Sequence, residues 1–281
     1  MVACTHKRDN QPENTLQYVD VGTDRIAYKI SGKGFPLLMC MGYSGTMELW
    51  QADVISKLSI HFKVILFDYP GMGYSTTQDT AFTIKGLAEN AYDFLNKLNI
   101  NKAHLMGWSM GTNVAQELAL NHPDIIEKVV LYAGDCGDTV AVKPPDWVVN
   151  IMIADNPSPW EMLSTLFPQA WLEAHPNPAD YFPKIIKPAD SSIVAMQWAA
   201  FEKWNEPGGG TAGRLNSFTQ AVLLITGDED VSTPTANSYI LLDSIPNASL
   251  VLLPECGHGA MYQVPENFAD SVLAFLRSTG S

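Results

Sequence analysis

Short apolar runs alternate with longer stretches of helical spacing through most of the chain, and that rhythm sets the expected architecture. Gln17–Val21 and Arg25–Ile30 alternate polar and apolar residues around Gly22-Thr23-Asp24, the pattern of a β-hairpin. After a Ser31-Gly32-Lys33-Gly34 turn, Pro36–Met41 is apolar throughout, as a strand buried on both faces requires. Thr46–Leu58 has helical spacing, and Lys63–Phe67 is another short buried run. Phe82-Thr83 opens a helix to about Leu98, with Ile84, Leu87, Ala91, Leu95 and Leu98 on one face. The strand Ala103–Met106, a helix to about His122 and the strand Val129–Tyr132 continue the series. After an interruption it resumes with strand Val222–Ile225, a helix over Thr235–Leu242, strand Leu250–Leu253 and a final helix over Pro265–Arg277. Such alternation predicts an α/β fold, a mainly parallel sheet with flanking helices.

The interruption has its own composition. Asp138–Gly213 holds five of the seven tryptophans and ten of the eighteen prolines, and Gly208-Gly209-Gly210 closes it as a flexible joint. It reads as an insertion at the end of one strand, lying over the sheet. The expected organisation is therefore a core of residues 16–137 and 214–281, an insertion over 138–213, and a polar arm over 1–15.

With 281 residues the chain can bury one large core. Charged residues make up 17%, below the roughly 25% of an average soluble domain. The formal net charge of −13 argues against nucleic acid and against anionic membrane surfaces, both of which demand Lys and Arg. No apolar run reaches the length of a membrane span. Cys4, Cys40, Cys136 and Cys256 show no C-x-x-C spacing, so buried free thiols are expected rather than zinc or a redox pair. Val2-Ala3-Cys4 before a polar run resembles the residues around a lipoprotein cleavage site, without the apolar stretch upstream. The expected location is the cytoplasm; a lipid-anchored or exported protein is the alternative if Cys4 is the remnant of such a signal.

Chemistry enters at Gly107-Trp108-Ser109-Met110-Gly111, a G-x-S-x-G pattern between a strand and a helix. A sharp turn there lifts the serine oxygen out of the sheet, and the helix N-terminus favours developing negative charge. A glycine-rich helix start packed on a neighbour would show the same letters, so the rest of the chain decides. A serine needs a base, and the base a third group to hold its tautomer. An acidic turn, Thr226-Gly227-Asp228-Glu229-Asp230, follows one late strand, and Cys256-Gly257-His258-Gly259 follows the next. The order Ser, Asp, His at successive strand ends brings distant residues to one edge of the sheet.

These landmarks, with Asp68-Tyr69-Pro70-Gly71-Met72-Gly73-Tyr74-Ser75, make the chain resemble an α/β-hydrolase over residues 17–278. It looks most similar to the small capped group of cofactor-free haloperoxidase-like esterases, C–C bond hydrolases and lactonases. The resemblance implies Ser109 as nucleophile, His258 as base and Asp230 as orienting acid, three residues after the strand-end glycine. Asp135 in Ala133-Gly134-Asp135-Cys136 is the competing acid, at a strand end where a minority of the family keep it. The implied oxyanion donors are the backbone N–H groups of Met110 and of Tyr43, in Cys40-Met41-Gly42-Tyr43-Ser44-Gly45. Many relatives have His-Gly where this chain has Met41-Gly42, which puts the rigidity of that loop in question.

The resemblance also makes the insertion a helical cap. Its Trp147, Trp160, Trp171 and Trp198, with Trp108 of the elbow, are candidate substrate-binding residues, along with Trp204, Met152, Met162, Met196, Phe167 and Phe201. The cap carries nine Asp and Glu against four lysines and no arginine, which favours a neutral substrate over a polyanion. Gly71-Met72-Gly73 lacks the third glycine of a dinucleotide fingerprint, and Asp228-Glu229-Asp230 has no His or Cys beside it, so neither a cofactor nor a metal is expected. The leading expectation is a serine hydrolase of a small, fairly apolar ester, thioester or lactone. The alternatives are C–C hydrolysis, perhydrolase or acyltransferase activity, or aminopeptidase activity on the same triad, and non-catalytic binding of a small ligand.

Overall fold

The computed structural model describes residues 14–154, 157–177 and 180–278. Residues 1–13, with Cys4 and most of the expected arm, lie outside them. The described chain forms strands β1 (Gln17–Val21), β2 (Asp24–Ser31), β3 (Phe35–Cys40), β4 (Phe62–Phe67), β5 (Ala103–Trp108), β6 (Ile126–Tyr132), β7 (Ala221–Gly227) and β8 (Ala248–Leu253). They make one sheet in the order β1-β2-β4-β3-β5-β6-β7-β8. The β1–β2 and β2–β4 pairs are antiparallel, and every pair from β4 to β8 is parallel.

The central strands are apolar because both of their faces are covered. Leu37, Leu38, Met39 and Cys40 of β3 are fully buried, and no residue of β5 reaches solvent appreciably. Ten helices accompany the sheet among the described residues: α1 (Ala52–Ser59), α2 (Ile84–Lys97), α3 (Met110–Asn121), α4 (Asp146–Met152), α5 (Pro159–Leu166), α6 (Gln169–Ala174), α7 (Ser191–Trp204), α8 (Ala236–Ser244), α9 (Ala260–Gln263) and α10 (Pro265–Arg277). Helix α2 starts where Thr83 Oγ1 accepts the Gly86 N–H at 2.9 Å. It buries Ile84, Leu87, Ala88, Ala91, Phe94 and Leu95, and packs against α3, while α1 packs against α10.

The run Thr46–Leu58 is not one helix. A 3₁₀ turn over Met47–Leu49 is followed by extended Trp50 and Gln51, and α1 then begins with the Gln51 side chain capping the Val54 N–H. The break lets Trp50 turn inward, where its ring lies 6.3 Å from that of Trp108. Helix α9, four residues long, is too short to show a period in sequence.

Helices α4 to α7 belong to the segment between β6 and β7. That segment leaves and returns through a narrow neck: the Asp138 N–H donates to Trp204 O at 3.1 Å, and the Thr211 N–H to Cys136 O at 2.8 Å. Gly137 and Gly210 take positive φ there, 64° and 67°. The segment is fastened over the carboxyl ends of the strands. Glu48 accepts the Ile186 and Lys187 N–H groups, Ser232 donates to Thr165 O, and the Gly259 N–H donates to Leu166 O. Among the described residues no helix is long and apolar enough to cross a membrane.

Candidate active site

Ser109 joins β5 to α3 with φ 54° and ψ −126°, a conformation that costs a non-glycine residue about 1–3 kcal/mol. The turn is held closed from several sides. The Ser109 N–H donates to Tyr132 O of β6 at 2.9 Å, and Ser109 O accepts from both the N–H and the Oγ1 of Thr112. The flanking glycines are steric requirements. A Cβ on Gly107 would lie 2.3 Å from Gly111 O, and one on Gly111 would lie 2.0 Å from Cys40 O.

His258 follows β8, and its Nδ1 lies 2.8 Å from Asp230 Oδ2. Both side chains are nearly or fully buried. The other Asp230 oxygen accepts the Thr233 N–H at 2.8 Å, which fixes the carboxylate plane. Two aromatic side chains pin the His258 carbonyl: Tyr132 Oη donates to it at 2.5 Å and Trp108 Nε1 at 3.1 Å. The Tyr132 hydroxyl in turn accepts the Met261 N–H. Nothing in the sequence pattern singled out Tyr132; a tyrosine ending a buried strand looks like any core aromatic.

Asp135 sits differently. Its Oδ1 accepts the Gly137 N–H at 2.8 Å and the Trp204 Nε1–H at 3.4 Å, and burial raises its pKa against those two bonds. The His258 Nδ1 contact therefore belongs to Asp230. Asp228 and Glu229 are exposed, and among the described residues no cluster of three metal-ligating side chains forms. His61 and His175 are exposed, His122 is bonded to Glu89, and His104 is buried in β5.

Ser109, Met110, His258, Gly42 and Tyr43 line one cavity of about 1020 Å³. A Cβ on Gly42 would lie 3.2 Å from Ser109 Cβ, so the loop after β3 passes directly beside the Ser109 side chain. The Tyr43 and Met110 amides donate to no acceptor among the described residues. Such orphan N–H groups are what an oxyanion hole is made of.

The walls opposite Ser109 come from the inserted helices: Val149, Met152, Met162, Leu163, Trp198 and Phe201. Of the tryptophans named from sequence, Trp108 and Trp198 line the cavity. Trp147 and Trp160 do not; they are 45% and 48% exposed, on the outer faces of short helices. Trp171 stacks between Phe167 and His175 and glues the insert together, and buried Trp204 holds Asp135. Met196 and Phe167 also fall outside the lining. Asp135, Asp146, Glu202 and Glu206 border the cavity against a single cation, Lys143.

The Gly71–Gly73 segment is a tight turn, with φ 74° and 48° at its glycines. A Cβ on Gly73 would meet Asp68 Oδ2, whose carboxylate accepts the Met47 and Tyr74 N–H groups. Burial pushes Asp68 up to about 6. Burial also pushes the thiol of Cys40 up to about 12, and those of Cys136 and Cys256 to about 11, so all three stay protonated and inert.

The family model described as the alpha/beta hydrolase fold matches residues 36–265. The chain belongs to the α/β-hydrolase family. Among its relatives, the 2-hydroxymuconate semialdehyde hydrolase of Pseudomonas sp. (strain CF600) is 28% identical, over 95% of this chain and 96% of its own. The pimeloyl-[acyl-carrier protein] methyl ester esterase of Nitrosomonas europaea is 28% identical, over 86% and 96%. Among solved structures, an alpha/beta hydrolase fold protein from Chitinophaga pinensis superposes with a TM-score of 0.80 at 26% identity, covering 94% of this α/β-hydrolase and 98% of that chain.

Proposed function

We propose that this α/β-hydrolase is a serine hydrolase that cleaves a small, neutral, fairly apolar carboxylic ester, thioester or lactone through an acyl-enzyme. The observation that carries the reading is the 2.8 Å contact between Asp230 and His258 Nδ1, with His258 lining the same cavity as the strained Ser109. With Nδ1–H donating to Asp230, the free Nε2 takes the Ser109 proton as Oγ bonds to the acyl carbon. The carbonyl oxygen becomes an oxyanion and accepts from the Tyr43 and Met110 N–H groups. The protonated His258 then gives its proton to the leaving oxygen or sulfur, leaving Ser109 acylated. Water repeats the sequence: His258 takes a water proton, hydroxide adds to the acyl carbon, and Ser109 Oγ departs with the proton returned. Asp135 is left out of this relay because its bonded oxygen is committed to Gly137 and Trp204.

The substrate class follows from the walls. Met, Leu, Val and aromatic side chains line the cavity, which suits an apolar acyl group, and four carboxylates against one lysine disfavour a polyanion such as a coenzyme A ester. The named activity of the Nitrosomonas relative is ester hydrolysis, in keeping with this reading. The test is turnover of p-nitrophenyl esters from acetate to decanoate by wild type and Ser109→Ala. Turnover that vanishes in the variant supports the mechanism, and the chain-length optimum measures the acyl space. A second reading, hydrolysis of a C–C bond beside a carbonyl, is favoured by the name of the Pseudomonas relative. Folded wild type that ignores every ester and cleaves a β-diketone would put that reading first.

A further inference from the structure

One oxyanion donor is better supported than the other. The Met110 N–H opens α3, a helix buried nearly all round and wedged against the sheet. The Tyr43 N–H sits on the loop after β3, where the chain has Met41-Gly42. Within Gly42–Gly45 the Gly45 N–H closes a turn onto Gly42 O, and Ser44 takes a positive φ of 57°. That is an expensive conformation for serine unless something outside the loop holds it.

Among the described residues, one hydrogen bond joins Gly42–Gly45 to another part of the chain. The Ser44 N–H donates to Gln197 Oε1 at 3.0 Å, from α7 of the inserted segment. Gln197 is fully buried, and its Nε2 has no partner. Turning the amide over would set the NH₂ against the Ser44 N–H, so the orientation is fixed and the Nε2 donor stays unpaired. An apolar residue at 197 would remove that desolvation cost, and would lose the Ser44 bond with it. The next residue makes a second contact, Trp198 meeting the Tyr43 ring edge-to-face with centroids 5.5 Å apart. Consecutive residues of α7 therefore grip consecutive residues of the loop.

We propose that Gln197 is a positioning residue, which through the Ser44 amide holds the loop where the Tyr43 N–H meets the oxyanion. The oxyanion hole is then complete only when α7 is seated over the sheet, so the inserted segment takes part in the chemical step as well as in binding. This rests on the serine-hydrolase reading, and its failure is distinguishable from the failure of that reading.

The experiment compares wild type, Gln197→Met and Gln197→Glu with a p-nitrophenyl ester and a phenylalkyl boronic acid, which forms a tetrahedral adduct on an activated serine. Methionine fills the space without accepting the Ser44 N–H; glutamate keeps an acceptor oxygen there. Gln197→Met is expected to lose about tenfold in kcat, less than removing an oxyanion donor outright, with KM within about twofold. The boronate should weaken by the same factor, and Gln197→Glu should recover most of both. Where Gln197→Met does not fold, Gln197→Asn, with its acceptor withdrawn by one methylene, is expected to show the same paired loss. Unchanged kcat in a folded variant overturns the proposal, and so does a loss of kcat with undiminished boronate affinity. Wild type that turns over no ester counts instead against the serine-hydrolase reading.

Discussion

Replacing Asp230 by asparagine discriminates between the two strand-end acids. Its two oxygens have separate tasks: Oδ1 accepts the Thr233 N–H at 2.8 Å and Oδ2 faces His258 Nδ1 at 2.8 Å. In Asp230→Asn the Thr233 N–H retains the amide oxygen, since an NH₂ cannot accept. The NH₂ must then face Nδ1, which becomes an acceptor, and the ring proton moves to Nε2. In the proposed mechanism that is the nitrogen required to take the Ser109 proton. A wrong tautomer in intact geometry costs about 10⁴ in kcat, or about 5 kcal/mol of transition-state stabilisation. In Asp135→Asn the Gly137 N–H keeps its acceptor in the same way, and no ring nitrogen is affected. Its kcat should stay within about fivefold of wild type. The assay is steady-state ester hydrolysis across a pH range, with circular dichroism and melting curves to establish that both variants fold. An Asp135→Asn variant without activity, beside an active Asp230→Asn, would refute the assignment.

Two further expectations concern stability. Gly111→Ala would drive a Cβ to 2.0 Å from Cys40 O and 2.7 Å from Met41 O, backbone atoms that no rotamer change can move. It should lose about 3 kcal/mol by denaturant titration, whereas Gly213→Ala, with open space around it, should stay within about 0.5 kcal/mol; equal effects would undo the steric argument. His104 packs against Phe35 and Phe62, and burial, then Lys128, pull its pKa down to about 4 against the opposing pull of Glu127. Its folded pKa lies below the ordinary histidine value of 6.5, so unfolding takes up a proton between the two. The stability is present above pH 6.5 and lost as pH falls toward 4, by about 2 kcal/mol after allowing for solvent screening. Urea midpoints at pH 7 and pH 4.5 should fall further apart in wild type than in His104→Leu, and parallel falls in both would reject the account.

The sheet was legible because its strands are short uninterrupted apolar runs, such as Leu37–Cys40, which only a covered parallel sheet can use. The elbow was legible because Gly107 and Gly111 are forced by close approach of backbone. The carboxylate that meets His258 was ambiguous: Asp135 and Asp230 both follow strands, and what separates them is which oxygen reaches Nδ1, a matter of loop shape. The inserted segment was least legible. Three of its four helices span eight residues or fewer and sit among prolines, so apolar content did not reveal which face each tryptophan takes; Trp147 and Trp160 point outward while Trp198, on the longer α7, points in. Gln197 carried no signal at all, as a glutamine in a helix is ordinary until its partner is seen.

The neck at Cys136–Asp138 and Trp204–Thr211 has a consequence for how this molecule could change over generations. Because the outgoing and returning backbones are hydrogen-bonded to each other, the sheet sees the excursion between them as one closed hairpin base. Closure entropy grows only slowly with loop length, so segments of other lengths could be grafted at this base with little penalty to the scaffold. Ser109, Asp230 and His258 all lie outside the excursion, on the sheet side of the joint. Selection can therefore rewrite the inserted wall of the cavity as a unit, provided that the newcomer brings its own substitute for the grip on Ser44.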